Sequence, residues 1–158
     1  MKHVLSELLA VSIFLLFLSN NVLGQTSADT TNAGRQGVLQ VGCFITGGAS
    51  SASRLAQVPQ MNCGVSRVSF QPGARTIWHS HAGGKVIVVT MGTAWYQEKG
   101  KPKQILNQSE AIVAPPGVMH WHGATPDAPM IHTVATPNLD KGGVTSGAAV
   151  TDQQYLNQ

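Results

Sequence analysis

GARTIWHSHAGGK (73–85) and SEAIVAPPGVMHWHG (109–123) are the two stretches that decide how this chain folds. Each carries two histidines separated by one residue, His79-Ser80-His81 in the first and His120-Trp121-His122 in the second. Both pairs sit in segments with strand character. Residues two apart on a strand point to the same face, so each pair aims both rings into one cavity. By the same alternation Trp78 and Trp121 point away from the rings and serve packing. A further histidine, His132, lies in the apolar segment Met130 to Thr136.

Working outward, the surrounding chain is a series of short extended segments. Val65 to Phe70 reads as a strand closed by the turn Gln71-Pro72-Gly73, where proline pre-sets φ and glycine accepts φ > 0. Lys85 to Thr90 is β-branched almost throughout, the pattern of a strand buried on both faces. Thr93 to Gln97, Gln104 to Asn107, Ala111 to Ala114, Val118 to His122 and Met130 to Thr136 follow. Short strands at intervals of about 8–12 residues, punctuated by Gly and Pro, predict an all-β barrel or sandwich. Upstream, Val38 to Ile45 is a weaker first strand, Gly47 to Ser53 a loop, and Pro59 to Asn62 irregular. After Pro137 the chain is small and polar, ending in one helical turn over Val150 to Leu156 capped by Thr151 or Asp152.

The ends and the composition bound the class of protein. Lys2 followed by the apolar run Leu8 to Leu18 has the form of a secretory signal, with small or neutral residues placed for cleavage after Gly24. The run is eleven residues long, too short for a membrane span of about 20. The expected organisation is therefore a signal peptide (1–24), a flexible lead-in (25–36), the barrel (37–137) and a C-terminal tail (138–158). The mature protein is expected to be exported, periplasmic or extracellular, and free of the membrane after cleavage. A net charge of +3 with scattered Lys and Arg argues against nucleic acid, which needs a stripe of cations. Only Lys99 to Lys103 clusters positive charge, as a solvated hairpin tip. Cys43 and Cys63, 20 residues apart, either close a disulfide worth about 3 kcal/mol in the chain-entropy model or remain separate buried thiols.

Four histidines in paired strand positions, with His132 on a further strand, suit a transition metal, which accepts neutral imidazole. Two histidines from one strand and one from another make a facial set that leaves positions open for water or substrate. The plain alternative is a group of hydrogen-bonded barrel histidines without metal. The first stretch, continued to Gly92, resembles the first motif of the cupin superfamily, and the second resembles its second motif. The likeness covers roughly residues 64–136. The segments Pro72-Gly-Ala-Arg-Thr76 and Pro116-Gly-Val-Met-His-Trp-His-Gly-Ala124 are similar to small single-domain cupins that include bacterial manganese-dependent hydroxynitrile lyases.

The resemblance implies a small jelly-roll (double-stranded β-helix) barrel. Its metal ligands would be His79, His81 and His120, binding one divalent ion: Mn, Fe, Zn or Ni, with Mn favoured. It also implies that His122 and His132 line the pocket and assist proton transfer to a small-molecule substrate, and that the protein forms a homodimer or higher homo-oligomer. For these two residues the alternative is orienting a ligand ring or packing in the barrel. The chain departs from the family pattern at Lys85, which occupies the position of the usual Glu or Gln ligand. A lysine ligates only as a neutral amine, and losing that proton near pH 7 requires a large pKa depression. Lys85 then ligates, or turns aside to bind a substrate anion or act as a base. Ser109 in place of glycine and Ala124 in place of asparagine are smaller departures. Arg75 is expected either to meet a carboxylate at the cavity mouth or to pair with Glu110. Three functions follow from these readings: a hydroxynitrile lyase-like enzyme, a three-histidine oxygenase, or a binding module without turnover.

Overall fold

The computed structural model describes residues 38–39, 45–47 and 50–157. The expected signal peptide, most of the lead-in and Cys43 lie outside the described residues. The chain forms two antiparallel sheets curled against each other. The first is ordered β1 (Val38–Leu39), β3 (Ser50–Val58), β4 (Cys63–Phe70), β12 (Met130–Pro137), β7 (Lys85–Met91) and β10 (Ala111–Ala114). The second is ordered β13 (Val144–Ser146), β6 (His79–His81), β11 (His120–Ala124), β5 (Arg75–Thr76) and β2 (Ile45–Thr46). On that second sheet β8 (Ala94–Glu98) also pairs with β11, and β9 (Gln104–Leu106) pairs with β8. This is the all-β barrel that the strand spacing predicted.

Strand alternation decides what enters the barrel. On β12 the buried side chains are Met130, His132 and Val134. On β11 His120 and His122 face inward, and β4 contributes Phe70. The apolar core of Phe70, Ile87, Val89, Tyr96, Met130 and Val134 fills the interior beside the histidines. Burial of such side chains, at roughly 25 cal/mol per Å² of apolar surface, is the main drive for closing the two sheets. β7 differs from its expectation. Ile87 and Val89 are buried, whereas Val86 and Val88 are only half-buried. Its outer side lies beside the exposed Val113 of β10, and no second layer covers that side among the described residues.

Two further expectations are corrected. Ser50 to Ser53, expected as loop, begins the nine-residue strand β3. Its register along β4, from Ser50 opposite Phe70 to Val58 opposite Cys63, supplies a ladder that the small polar side chains do not advertise. Arg75 does not meet Glu110. Its Nη2 contacts Asp152 Oδ1 at 2.5 Å and donates to the Val150 carbonyl at 3.0 Å, while its guanidinium lies 4.5 Å over the Tyr155 ring.

Those partners belong to the tail, which packs on the outside of the second sheet. The tail's helix α1 (Asp152–Leu156) is capped by Thr151, one of the two caps the sequence offered, and the structure adds a reciprocal capping box with Gln154. It buries Tyr155 beside Trp121 and Trp95, and the Tyr155 hydroxyl donates to the Ala124 carbonyl at 2.7 Å. Trp121 therefore packs away from the histidines, as alternation required. Two glycines permit this arrangement. Gly73 holds φ +77 at the turn before β5. At Gly123 an added Cβ would come within 2.5 Å of the Ala74 carbonyl, so only glycine lets β11 lie this close to the chain entering β5.

Candidate metal centre

The histidine rings converge because β11 is the neighbour of β6. His120 lies opposite His79 in the register, and the ring centroids of this pair are 4.5 Å apart. His81 follows on the same face, 5.1 Å from His79 and 5.8 Å from His120 between centroids. His122 is 5.3 Å from His79. The donor nitrogens of His79, His120 and His122 all fall within 4.8 Å of one another. His79 and His120 thus stand together as expected. His122, expected to serve the pocket, also lies at ligand range, while His81 borders the cluster.

Backbone contacts fix two of the rings. His79 Nδ1 lies 2.9 Å from the Ile77 carbonyl, and His120 Nδ1 lies 2.9 Å from the Val118 carbonyl. A carbonyl can only accept, so both Nδ1 atoms carry the proton and both Nε2 atoms present lone pairs to the interior. An orienting hydrogen bond on the remote nitrogen is the arrangement expected of metal-bound histidine. The Nε2 atoms of His81, His120 and His122 are buried without any hydrogen-bond partner. Such orphaned atoms cost free energy in a dry interior, and a divalent cation would satisfy several at once. The residues present therefore fit a histidine-bound metal.

His132 lies one layer back, its Nε2 3.2 Å from His122 Nδ1. Phe70 packs against both rings, at 5.8 Å and 5.3 Å. The His122 backbone N–H donates to Thr76 Oγ1 at 3.1 Å. His79, His81, His122 and His132 share a cavity of about 310 Å³ with Lys85, Val68, Val134, Ser66, Thr76 and Thr136. Lys85 enters it because β7 turns the same face inward at Lys85, Ile87 and Val89.

Glu98 lies one residue past the strand expected over Thr93 to Gln97, and the structure extends that strand to include it. The alternation of buried Ala94, Tyr96 and Glu98 could have revealed it. Glu98 is opposite His120 in the register, accepts from the Tyr96 hydroxyl at 3.3 Å, and pairs with Lys101 at 2.5 Å. Lys101 holds its carboxyl below the usual range. Ser109 sits at φ +71, a conformation glycine adopts without strain.

Burial pushes every interior histidine towards its neutral form. His79 falls to about 3, His81 to about 2 and His132 to about 3. His120 and His122 are also lowered, again chiefly by desolvation. Stability therefore depends on pH with a definite sign. Below the unfolded value of 6.5 the unfolded chain binds protons that the folded chain refuses, so acid favours unfolding. The urea midpoint of the metal-free protein is expected to rise gently from pH 7 to 8, as the unfolded histidines shed their last protons and Lys85, lowered to about 8 by burial, begins to lose its own in the folded state. That midpoint should fall steadily as pH drops from 6.5 towards 3, each histidine contributing up to about 1.4 kcal/mol per pH unit. A midpoint unchanged between pH 7 and 4.5 would contradict the buried neutral cluster.

Comparison with known proteins agrees with this geometry. A family model described as a cupin domain matches residues 66–135. The chain is 39% identical over 97 residues to an (R)-mandelonitrile lyase of Granulicella tundricola, covering 61% of this chain and 73% of that protein. It is similar to the crystal structure of a cupin-like protein from Thermotoga maritima, with a TM-score of 0.68 and 39% identity over 71% of this chain and 85% of the other. A cupin-2 domain protein of Rhodospirillum rubrum matches with a TM-score of 0.57, covering 74% of each chain. Its 10% identity makes that a likeness of fold alone.

Proposed function

The chain belongs to the cupin family, and on that premise we propose that it is an exported metal-dependent lyase of small molecules, acting on cyanohydrins. The observation that carries this reading is the meeting of buried, unpartnered histidine nitrogens with a hydrogen-bonded His122–His132 pair in one cavity of about 310 Å³. That volume lies at the lower end of small-molecule sites, roughly 300–1,000 Å³. The 39% identity to an (R)-mandelonitrile lyase supports the choice of substrate.

His79, His81 and His120 would hold the ion, manganese by resemblance, and when bound it supplies positive charge that stabilises a developing oxyanion. The remaining work falls to residues of this chain. His122, kept neutral by burial, accepts the substrate hydroxyl proton at Nε2 as the C–C bond to the nitrile breaks. His132 fixes the tautomer of His122 through their shared hydrogen bond. The proton then passes from His122 to the departing cyanide, leaving an aldehyde, hydrogen cyanide and a neutral imidazole. Phe70, Val68 and Val134 exclude water from this exchange.

The manganese-loaded protein is expected to release benzaldehyde from (R)-mandelonitrile faster than buffer containing the same free metal, followed by ultraviolet absorbance. A protein that takes up no stoichiometric Mn, Fe, Zn or Ni, or one that binds metal and leaves mandelonitrile intact, would overturn the reading. The lysine at the expected fourth-ligand position favours a second one. A nitrogen-only set also suits an iron-dependent oxygenase, which oxygen-consumption measurements with the iron-loaded protein would reveal. Export rests on the apolar run Leu8 to Leu18 and the small or neutral residues placed for cleavage before Gln25. Amino-terminal sequencing of secreted protein tests it.

A further inference from the structure

We propose that Tyr155 is a positioning residue for the histidine site, clasping β11 to β5 from outside the barrel so that His120 and His122 keep their place against His79. This inference rests on the reading of those histidines as the metal and substrate site. The site straddles a seam. β11 carries His120 and His122, whereas Thr76 lies on β5, and His79 and His81 lie on β6. On its other side β11 pairs with β8 without a break from His120 to Ala124. Across the seam the ladder is thin, with Gly123 opposite Arg75 and His120 opposite His79. Ile77 and Trp78, between those pairs, stand outside the strands. Trp78 gives its backbone to the tail instead. Its N–H donates to the Ala148 carbonyl at 3.0 Å, and its carbonyl accepts from the Gly147 N–H at 2.7 Å.

Tyr155 touches both sides of the seam at once. Its hydroxyl donates to the Ala124 carbonyl at 2.7 Å, a buried contact at the end of β11. The guanidinium of Arg75, on β5, lies 4.5 Å over its ring, and such a contact strengthens when water is excluded. Arg75 also donates to the Val150 carbonyl at 3.0 Å, just before the helix that carries Tyr155. The Arg75–Asp152 pair adds less, because the Asp152 side chain is 84% exposed and water screens it. Two amides of β11 cross the seam beside this clasp. Ala124 N–H donates to the Ala74 carbonyl at 2.9 Å, and His122 N–H donates to Thr76 Oγ1 at 3.1 Å. The Tyr155 hydroxyl thus anchors the residue two places from His122, on the same strand. Without that donor the buried Ala124 carbonyl is left unpaired, which costs free energy. The seam, with the shortest ladder, is where the strand gives way.

The test is amide hydrogen exchange, followed by NMR, on the metal-free protein and its Tyr155→Phe variant, which keeps the ring and removes only the hydroxyl. The seam amides of His122 and Ala124 are expected to exchange about tenfold faster in the variant, the effect of one orphaned buried acceptor. By strand alternation the Trp121 and Gly123 amides point to β8, and these should keep their wild-type rates. A tyrosine that merely supports the fold would accelerate both sets alike. That result, or no acceleration at all, would overturn the proposal. Manganese affinity, measured by calorimetry well below the unfolding temperature, should fall about 10–100-fold in the variant, as for other groups that orient ligands from outside. Seam amides that loosen while affinity stays at the wild-type value would overturn it too, because such a clasp positions nothing. Mandelonitrile cleavage by wild type, measured in parallel, separates the two readings. Both shifts without cleavage sink the lyase alone, and cleavage with neither shift sinks this inference alone. If wild type takes up no manganese, the lyase reading falls and the exchange rates decide the clasp.

Discussion

His120→Ala is expected to abolish stoichiometric metal binding. His120 belongs to the nitrogen cluster that the structure brings together and also to the ligand set implied by family resemblance. Its ring is fully buried, its Nδ1 is held by the Val118 carbonyl at 2.9 Å, and its Nε2 has no partner. Losing an outer-shell partner of a metal ligand costs about 10–100-fold in affinity, and losing the ligand itself should cost more. His79→Ala should behave in the same way, because His79 occupies the matching position on the adjacent strand. Elemental analysis of purified variants, with circular dichroism to show that the barrel is intact, reads the result directly. Undiminished metal in a folded His120→Ala protein would mean that the ion sits elsewhere. The third position is decided by the pair His81→Ala and His122→Ala. Only the true ligand should lose metal on truncation.

His122→Ala is expected to keep its metal and lose about 10²–10⁴-fold in mandelonitrile cleavage, the usual contribution of a positioned acid–base group. The loss should appear in kcat rather than KM, because the missing interaction is with the moving proton and not with the bound ring. His132→Ala should fall less, since it acts through His122. Removing it frees His122 Nδ1 from the 3.2 Å contact and lets the imidazole take either tautomer. The rate loss of the double variant should then be less than the product of the two single losses. A His122→Ala enzyme with wild-type kcat would remove the base from the mechanism. A variant that loses metal and activity together would make His122 a ligand instead.

The interior of the barrel was readable from the sequence because its rules are local. An H-x-H pair on a strand needs only the two-residue period to place both rings, and the turn at Pro72-Gly73 needs only backbone preference. What could not be read depends on distant partners. Ser50 to Ser53 is extended only because β4 is there to pair with it. Arg75 finds Asp152 some 77 residues away, a pairing that no periodicity encodes. Val86 and Val88 have the composition of a strand covered on both sides, yet that composition cannot say whether a second layer arrives. Glu98 fell just past a strand boundary, where a one-residue error changes which side chains are assigned to the interior.

The tail strand β13 pairs along the free side of β6, with Val144 opposite His81 and Ser146 opposite His79. β6 has three residues, two of them expected to serve the ion, and without that cover it would end the sheet with its amides and carbonyls unpaired. An open edge is a template for another chain, and here the foreign strand would dock beside the histidines themselves. The last twenty or so residues thus act as a guard against self-association at the one place where mispairing would also disable the chemistry. A protein shortened after Pro137 should be lost to aggregation before any defect in catalysis could be measured.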